Sequence, residues 1–237
     1  RSFGIEVTFV DGSKPGAFAE AVIPGRTMLI IAESPSNPQM GLVDFHELAR
    51  IKGPYTLVDS TLATPLGQRP LDFGISLVMH SATKGIAGHN DAMLGVVAGE
   101  RDLIDAIWGY SVMHGATASP FDANNGLRGI RTLGVRLSHQ CASAQAIAES
   151  LANHRSISKV NYPGLDSHPQ HGLAAHQMRK YGSVLSFEIA SGVEGAKEFL
   201  SRLTLGRPAV SLGGPETLAC HPASSTHVSI SVDDQVA

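Results

Sequence analysis

The length, charge and composition of the chain exclude several classes of protein. Its 237 residues carry 18 Lys and Arg against 21 Asp and Glu, a formal net charge of -3, so we expect no nucleic-acid partner. Hydrophobic residues make up 43% of the chain, but no apolar run is long enough for a bilayer and no signal peptide is recognisable, so no membrane partner is expected. Cys141 and Cys220 are too few for a disulfide framework and favour a cytoplasmic location.

Short apolar runs alternate with helical patterns through the first half of the chain. Residues 27–32 predict a buried strand, and residues 43–51 have helical spacing. Three further strands are predicted over residues 55–58, 75–79 and 94–98. Near-continuous apolar strands separated by helices are typical of a parallel sheet covered on both faces, so the predicted fold class is α/β.

The second half predicts a long helical stretch and then a smaller α/β unit. Residues 122–153 contain no proline and have helical spacing, which indicates one long helix or two consecutive ones. Tyr162-Pro163-Gly164 breaks this pattern. The other predicted elements are two strands and a helix, over residues 157–161, 183–189 and 193–203. We place the domain boundary within the helical stretch, which gives units of residues 1–135 and 136–237.

Polar residues follow three of the predicted strands. Asn37 follows the first, Asp59 and Thr61 the second, and Lys84 the third. Taken singly, Asn37 is typical of a turn, Asp59 of a helix cap and Lys84 of a solvated surface. Ligands of parallel sheets bind beyond the carboxyl ends of the strands, so the ordered combination predicts a site that gathers an amide, a carboxylate, hydroxyls and an amine.

These groups match the needs of pyridoxal 5′-phosphate (PLP). The Lys84 amine would form an imine with the cofactor aldehyde. The Asp59 carboxylate would pair with the pyridine nitrogen and keep it protonated, which strengthens the ring as an electron sink. The hydroxyls of Ser81 and Thr83 would bond to phosphate oxygens, and the Asn37 amide would donate to the phenolic oxygen of the ring.

A set of motifs spread along the whole chain carries a resemblance to a known family. The motifs are ESPSNP at 33–38, VDST at 58–61, QRPL at 68–71, HSATK at 80–84, GHND at 88–91, RGIRTL at 128–133, YPGL at 162–165, SLGG at 211–214 and HPASSTH at 221–227. In these motifs the chain resembles the Cys/Met-metabolism family of fold-type I PLP enzymes. That family includes cystathionine γ-synthase, cystathionine γ- and β-lyases, methionine γ-lyase and O-acylhomoserine sulfhydrylases.

The resemblance implies a fold, an assembly and a role for each matched residue. The implied fold is an aspartate-aminotransferase-like large domain with a mostly parallel sheet, plus a smaller C-terminal α/β domain. The implied assembly is a homotetramer, a dimer of dimers. The implied site residues are Lys84 as the Schiff-base lysine, Asp59 on the pyridine nitrogen, Ser81 and Thr83 on the phosphate, Asn37 near the phenolic oxygen, Thr61 beside the ring, and Ser211 with Val210 at the substrate.

The chain departs from the family pattern in two respects. A tyrosine usually follows the lysine, and Gly85 stands at that position. The family's Ser-Gly-Met phosphate loop, its ring-stacking tyrosine and the arginine that clamps the substrate carboxylate have no counterpart in the sequence. We therefore expect the N-terminal part of the large domain and the C-terminal end to lie outside it.

Eleven histidines invite a metal interpretation, which the sequence does not favour. The candidates are His80, His89, His221 and His227, and no pair of them has the spacing of a helical zinc motif. We predict no metal site, and we expect His221 and His227 to bond within their own loop.

The resemblance implies catalysis at the γ-carbon of a small amino-acid substrate: methionine, cystathionine or a homoserine derivative. Val210 precedes Ser211 where cystathionine-handling members commonly have glutamate, and its apolar wall favours a γ-lyase of the methionine γ-lyase type. The alternative within the family is a transferase, either cystathionine γ-synthase or O-acylhomoserine sulfhydrylase. Outside it, a non-catalytic relic of the fold stays open, whereas a nucleotide-binding module is disfavoured because no G-x-G-x-x-G or Walker loop occurs.

Overall fold

A four-stranded sheet forms the centre of the first half of the chain. The computed structural model describes residues 3–225. The strands, in spatial as well as chain order, are β1 (Leu29–Glu33), β2 (Tyr55–Asp59), β3 (Leu77–Ser81) and β4 (Gly95–Gly99). The helices of this half are α1 (Ala17–Ala21), α2 (Phe45–Arg50), α3 (Thr64–Gly67), a 3-10 turn (Pro70–Phe73), α4 (Arg101–Met113) and α5 (Pro120–Ile130).

The first three strands are parallel, and their carboxyl ends are aligned. Glu33 at the end of β1 pairs with Asp59 of β2, which in turn pairs with Met79 of β3. The structure confirms all three predicted strands, although β3 ends two residues later than expected. Because the ends align, the residues that follow the strands share one edge of the sheet.

The fourth strand has the opposite direction to the one predicted. β4 is antiparallel to β3, with Ser81 opposite Gly95, so the parallel assignment of residues 94–98 is wrong. The Thr83 N–H donates to the Leu94 carbonyl at 3.2 Å, and the Leu94 N–H donates to Thr83 Oγ1 at 2.8 Å. These two bonds close the loop between β3 and β4. The chain therefore returns antiparallel to β3, without the crossover connection that a parallel neighbour requires. The sheet as a whole is mostly parallel.

One face of this sheet packs against α2, and the other is partly open. The core between them consists of Ile30, Ala32, Val43, Phe45, Leu48, Val58 and Ile75. On the opposite face, Ile31 is 63% exposed and Leu29 44% exposed. Side chains alternate across a strand, so β1 sends only every second residue into this core. Within residues 3–225 the second face is therefore open at β1, whereas at β3 the successive residues Leu77 and Val78, which point to opposite faces, are both buried.

The long helical stretch is two helices, which settles the alternative that the sequence left open. α5 ends at Ile130, and α6 (Leu133–Ala152) begins after Arg131 and Thr132. The Thr132 hydroxyl donates to the Gly129 carbonyl at 3.1 Å. A side chain that bonds to the backbone in this way competes with continuous helical bonding, which is consistent with a break here.

The second half contains a smaller α/β unit. Its elements are β5 (Ile157–Asn161), α7 (His171–Gln177), β6 (Ser186–Ile189), α8 (Gly192–Ser201), β7 (Arg207–Pro208), β8 (Leu218–Ala219) and a 3-10 turn (Pro222–Ser224). β5 and β6 are antiparallel, whereas β7 and β8 are parallel. The structure confirms β5, β6 and α8, while α7, β7 and β8 were not predicted, and neither were α1, α3 and α4 of the first half. Across residues 3–225, no helix is both long and apolar enough to span a membrane.

Candidate functional site

A chain of hydrogen bonds joins the ends of β2 and β3. Asp59 Oδ1 accepts from the Thr61 N–H at 2.9 Å and from the Thr61 hydroxyl at 2.6 Å. The same Thr61 Oγ1 accepts from the Ser81 N–H at 2.8 Å. The structure thus brings three predicted site residues together at the carboxyl edge of the sheet. Thr61 fixes the orientation of the Asp59 carboxylate.

Lys84 extends from a turn that begins at Ser81. The Lys84 N–H donates to the Ser81 carbonyl at 3.0 Å, and the Gly88 N–H donates to the Lys84 carbonyl at 2.8 Å. The half-buried Lys84 side chain places Nζ 3.2 Å from Ser211 Oγ, to which it donates. Two predicted site residues that are 127 positions apart in the sequence therefore meet. Val210, the neighbour of Ser211, is 56% exposed.

Two glycines allow the Ser211 segment and the Lys84 turn to approach each other. Gly213 has φ +82°, and a Cβ there would collide with the backbone of Gly85. A Cβ on Gly85 itself would lie 2.9 Å from Thr64 Cγ2. The glycine that departs from the family pattern thus occupies a position where the local packing leaves little room for a side chain.

Thr83 is already engaged with the backbone of the following strand. Its hydroxyl accepts from the Leu94 N–H at 2.8 Å and donates to the Leu94 carbonyl at 3.3 Å. A phosphate contact would have to use the remaining lone pair or replace the bond to the carbonyl. The hydrogen bonds of Ser81 described above use its backbone N–H and carbonyl and do not involve its hydroxyl.

Asn37 lies in the loop that follows β1, and Gln68 anchors this loop to the one that follows β2. Its side chain is exposed, and its N–H donates to Glu33 Oε2 at 3.3 Å. The buried Gln68 amide donates to the Ser34 carbonyl and, at 3.0 Å, to Ser60 Oγ. Gln68 therefore couples the loops that follow β1 and β2. The sequence places Gln68 in the QRPL motif but does not indicate a role for it.

The electrostatics of this edge favour a positively charged group. Partial desolvation raises the pKa of Glu33; the hydrogen bond from the Asn37 N–H opposes this rise, and the negative charge of Asp59 adds a smaller rise. Burial lowers the pKa of His80 despite the opposing effect of Asp59, so this side chain favours the neutral form. Two carboxyl groups are thus close together beside a neutral histidine. The Asp59 carboxylate can accept a hydrogen bond from a protonated pyridine nitrogen, and the Lys84 amine can react with a carbonyl group.

Arg136 of α6 supports the Lys84 turn, and sequence reasoning missed it. Its guanidinium donates to the carbonyls of Gly85 at 2.9 Å, Ile86 at 3.1 Å and Gly129 at 2.8 Å. Partial burial lowers the pKa of Arg136. All three acceptors are backbone oxygens, so no pattern of residue types could have revealed these contacts.

The candidate histidines have local partners or are buried. His89 Nδ1 lies 2.7 Å from the Ala87 carbonyl, and His221 Nδ1 lies 2.9 Å from Ser224 Oγ. His80 is buried, and His227 is outside the described residues. Within residues 3–225 no group of three or more His, Cys, Asp or Glu side chains is arranged to hold a metal ion.

Comparison with known proteins places this geometry in a family. The family described as Cys/Met metabolism PLP-dependent enzyme matches residues 1–237. The chain is 42% identical to an L-methionine gamma-lyase of Pseudomonas putida, over 98% of this chain and 60% of that protein. It is 40% identical to an O-succinylhomoserine sulfhydrylase of Pseudomonas aeruginosa, over 99% of this chain and 59% of that protein.

A solved structure shares the fold as well. A cystathione gamma lyase from Micromonospora echinospora superposes with a TM-score of 0.93 at 34% identity, over 98% of this chain and 62% of the other. The expected fold-type I architecture is thereby confirmed. The chain spans about 60% of the length of the curated relatives it matches. With its sequence matched throughout and its fold shared, the chain belongs to the Cys/Met metabolism family of PLP-dependent enzymes.

Proposed function

We propose that the protein acts at the γ-carbon of a sulfur amino acid as a PLP-dependent γ-lyase of the methionine γ-lyase type. The observation that carries the proposal is the contact between Lys84 Nζ and Ser211 Oγ, on a turn joined through Ser81 to Thr61 and Asp59. Similarity to the L-methionine gamma-lyase of Pseudomonas putida, at 42% identity, supports this choice of reaction.

The residues of this chain that would hold the cofactor follow from their chemistry. Asp59 would accept a hydrogen bond from the pyridine nitrogen, and its orientation is fixed by Thr61. Ser81 and Thr83 would contact the phosphate, and Asn37 the phenolic oxygen. When bound, PLP supplies an electron sink for the bond that breaks at the substrate α-carbon.

Lys84 would then serve as the proton carrier of the reaction. In its free form, the Lys84 amine would remove the α-proton and deliver protons further along the substrate. Ser211, now 3.2 Å from Nζ, would seat the substrate carboxylate and hold the freed amine near the reacting carbons. The long, flexible lysine side chain can reach both positions from one fixed turn.

Val210 would set the preference among substrates. An apolar side chain beside Ser211 favours the methyl thioether of methionine over the distal ammonium of cystathionine. A transferase of the sulfhydrylase or cystathionine γ-synthase type is the second candidate, because a sulfhydrylase relative is nearly as similar, at 40% identity.

Substrate competition tests this assignment. Methionine, cystathionine and O-acylhomoserine plus a thiol are offered together to the full-length protein, and the products are identified. We expect a keto acid, ammonia and a volatile thiol from methionine. A tenfold or greater preference for cystathionine or for thiol addition would overturn the lyase assignment. A protein without a yellow, borohydride-sensitive absorbance and without turnover would be a relic of the fold.

We further propose a cytoplasmic homotetramer, built as a dimer of dimers, with domains over residues 1–135 and 136–237. Two free thiols, Cys141 and the exposed Cys220, suit a reducing compartment. Large exposed apolar side chains such as Trp108 and Phe121 support self-association.

A further inference from the structure

His46 of α2 and His176 of α7 form a contact that the proposed reaction does not use. Their Nε2 atoms are 3.3 Å apart, and their ring centroids are 5.5 Å apart with 39° between the ring planes. Both side chains are exposed, and the two residues are 130 positions apart in the sequence. The fold alone brings the two imidazoles together.

The His46 ring is held from two sides. It packs edge-on against Phe73, with 5.0 Å between ring centroids. Its backbone is fixed at the start of α2, where Asp44 Oδ1 accepts from the His46 N–H at 2.9 Å. These contacts restrict both the backbone and the ring of His46.

His176 is held through the helix that carries it. Gln170 forms two 2.7 Å bonds with the backbone of Leu42, one to the N–H and one to the carbonyl. The buried Gln177 amide donates to the Val43 carbonyl at 3.1 Å. α7 is thereby fixed to the segment that leads into α2, so the spacing of the two rings is a property of a well-bonded interface.

The spacing of the two nitrogens matches the demands of a metal ion. An ion with metal–nitrogen bonds of about 2.0–2.1 Å separates two neighbouring ligands by about 2.8–3.0 Å in a square-planar arrangement and by about 3.3–3.4 Å in a tetrahedral one. The same 3.3 Å separation also allows a hydrogen bond between the two nitrogens. Two imidazoles that are held in place before the ion arrives lose little freedom on binding it.

We propose that His46 and His176 form a two-imidazole site for a borderline transition-metal cation such as Zn²⁺, Ni²⁺ or Cu²⁺. Water or a small anion would complete the coordination. A surface hollow is lined by His176 together with Arg69, Asp72 and Arg179. Asp72 balances only part of the positive charge of the two arginines, which it meets at 3.5 and 3.7 Å. The site therefore favours a metal that brings its own anionic ligands.

Cu²⁺–iminodiacetate is the probe that fits this prediction, because the chelate is neutral and leaves coordination positions for two imidazoles. The full chain is titrated with it, and binding is followed by electron paramagnetic resonance and by thermal shift. We expect one tight equivalent with two imidazole nitrogens. His46→Gln and His176→Gln keep a polar side chain but cannot supply the imidazole, so each should weaken this binding at least tenfold.

His139→Gln, on an exposed position of α6, is the matched control and should leave the tight equivalent unchanged. Far-UV circular dichroism verifies that all variants fold. Equal copper binding by the wild type and all three variants would show that the copper binds to other histidines. The absence of tight binding to the wild type would show that the two histidines form only a hydrogen bond. Either result overturns the proposal. None of these readouts depends on PLP or on turnover, so a negative result for the metal site would not affect the proposed function.

Discussion

Lys84 extends from a turn whose backbone bonds do not involve the amine, so Nζ can change partners without moving the chain. We predict that Lys84→Ala lowers the rate of keto acid release from methionine by about a thousandfold or more, because the proton carrier is lost. The fold should persist, since a half-buried lysine adds little packing. The matched control is Lys52→Ala, at an exposed lysine, which should keep wild-type activity. Retention of a few per cent of activity by Lys84→Ala, with cofactor bound, would contradict the assignment.

Asp59 is held by two bonds from Thr61, so an amide can take its place with little change in geometry. Asp59→Asn removes the negative charge that would keep the pyridine nitrogen protonated. We predict a loss of several kcal/mol in transition-state stabilisation, about a thousandfold in rate. Steady-state kinetics at saturating PLP measure it, with the exposed Asp105→Asn as the control. Activity within threefold of wild type would make Asp59 a structural residue instead.

Sequence reasoning placed Asp59, Thr61, Ser81 and Lys84 at one edge of the sheet, because polar residues that follow aligned parallel strands must share an edge. It could not assign roles to Gln68 and Arg136. Their partners are backbone carbonyls and a serine hydroxyl on segments that the fold alone brings near. The engagement of Thr83 with Leu94 was equally hidden, because it depends on the direction of β4.

Among the elements, strands were easier to predict than their directions. Apolar runs located β1, β2 and β3 because buried strands need them, but an apolar run looks the same in either direction. Only the return loop after β3, closed by Thr83 and Leu94, makes β4 antiparallel. The boundary between α5 and α6 likewise depends on a side-chain bond from Thr132 that competes with the helix.

The packing of α5 against the Lys84 turn gives a prediction about one glycine. A Cβ on Gly129 would overlap the backbone of Ala87, and neither helix nor turn can yield easily. We predict that Gly129→Ala lowers the free energy of unfolding by about 1–3 kcal/mol and also impairs activity. Gly109→Ala in α4 is the matched control, because a Cβ there meets no atom within 4 Å. It should stabilise the helix by about 0.5–1 kcal/mol. Urea unfolding that showed equal effects would contradict this account of the packing.

At the scale of the whole molecule, the helices α4, α5 and α6 all carry large exposed apolar side chains. Trp108 is 64% exposed, Met113 83%, Phe121 84% and Val135 79%. Single exposed apolar residues are ordinary, whereas several on consecutive helices are typical of an interaction surface. Nothing in the local sequence separates these residues from core residues, because both fit the same helical spacing. The sequence therefore predicted α5 and α6, though not α4, and it did not show which of their apolar residues stay outside the core of residues 3–225.

This surface gives the last prediction, which concerns assembly. If the protein is a homotetramer, light scattering should return about four times the chain mass at micromolar concentration. Phe121→Lys places a charge in the exposed apolar surface, and an unpaired charge is costly to bury in an interface. We therefore expect this variant to shift to dimers or monomers. The exposed Asn124→Lys, on the same helix, adds the same charge at a polar position and should remain tetrameric. A wild-type monomer that is fully active would contradict the assembly, and a tetrameric Phe121→Lys would place the interface elsewhere.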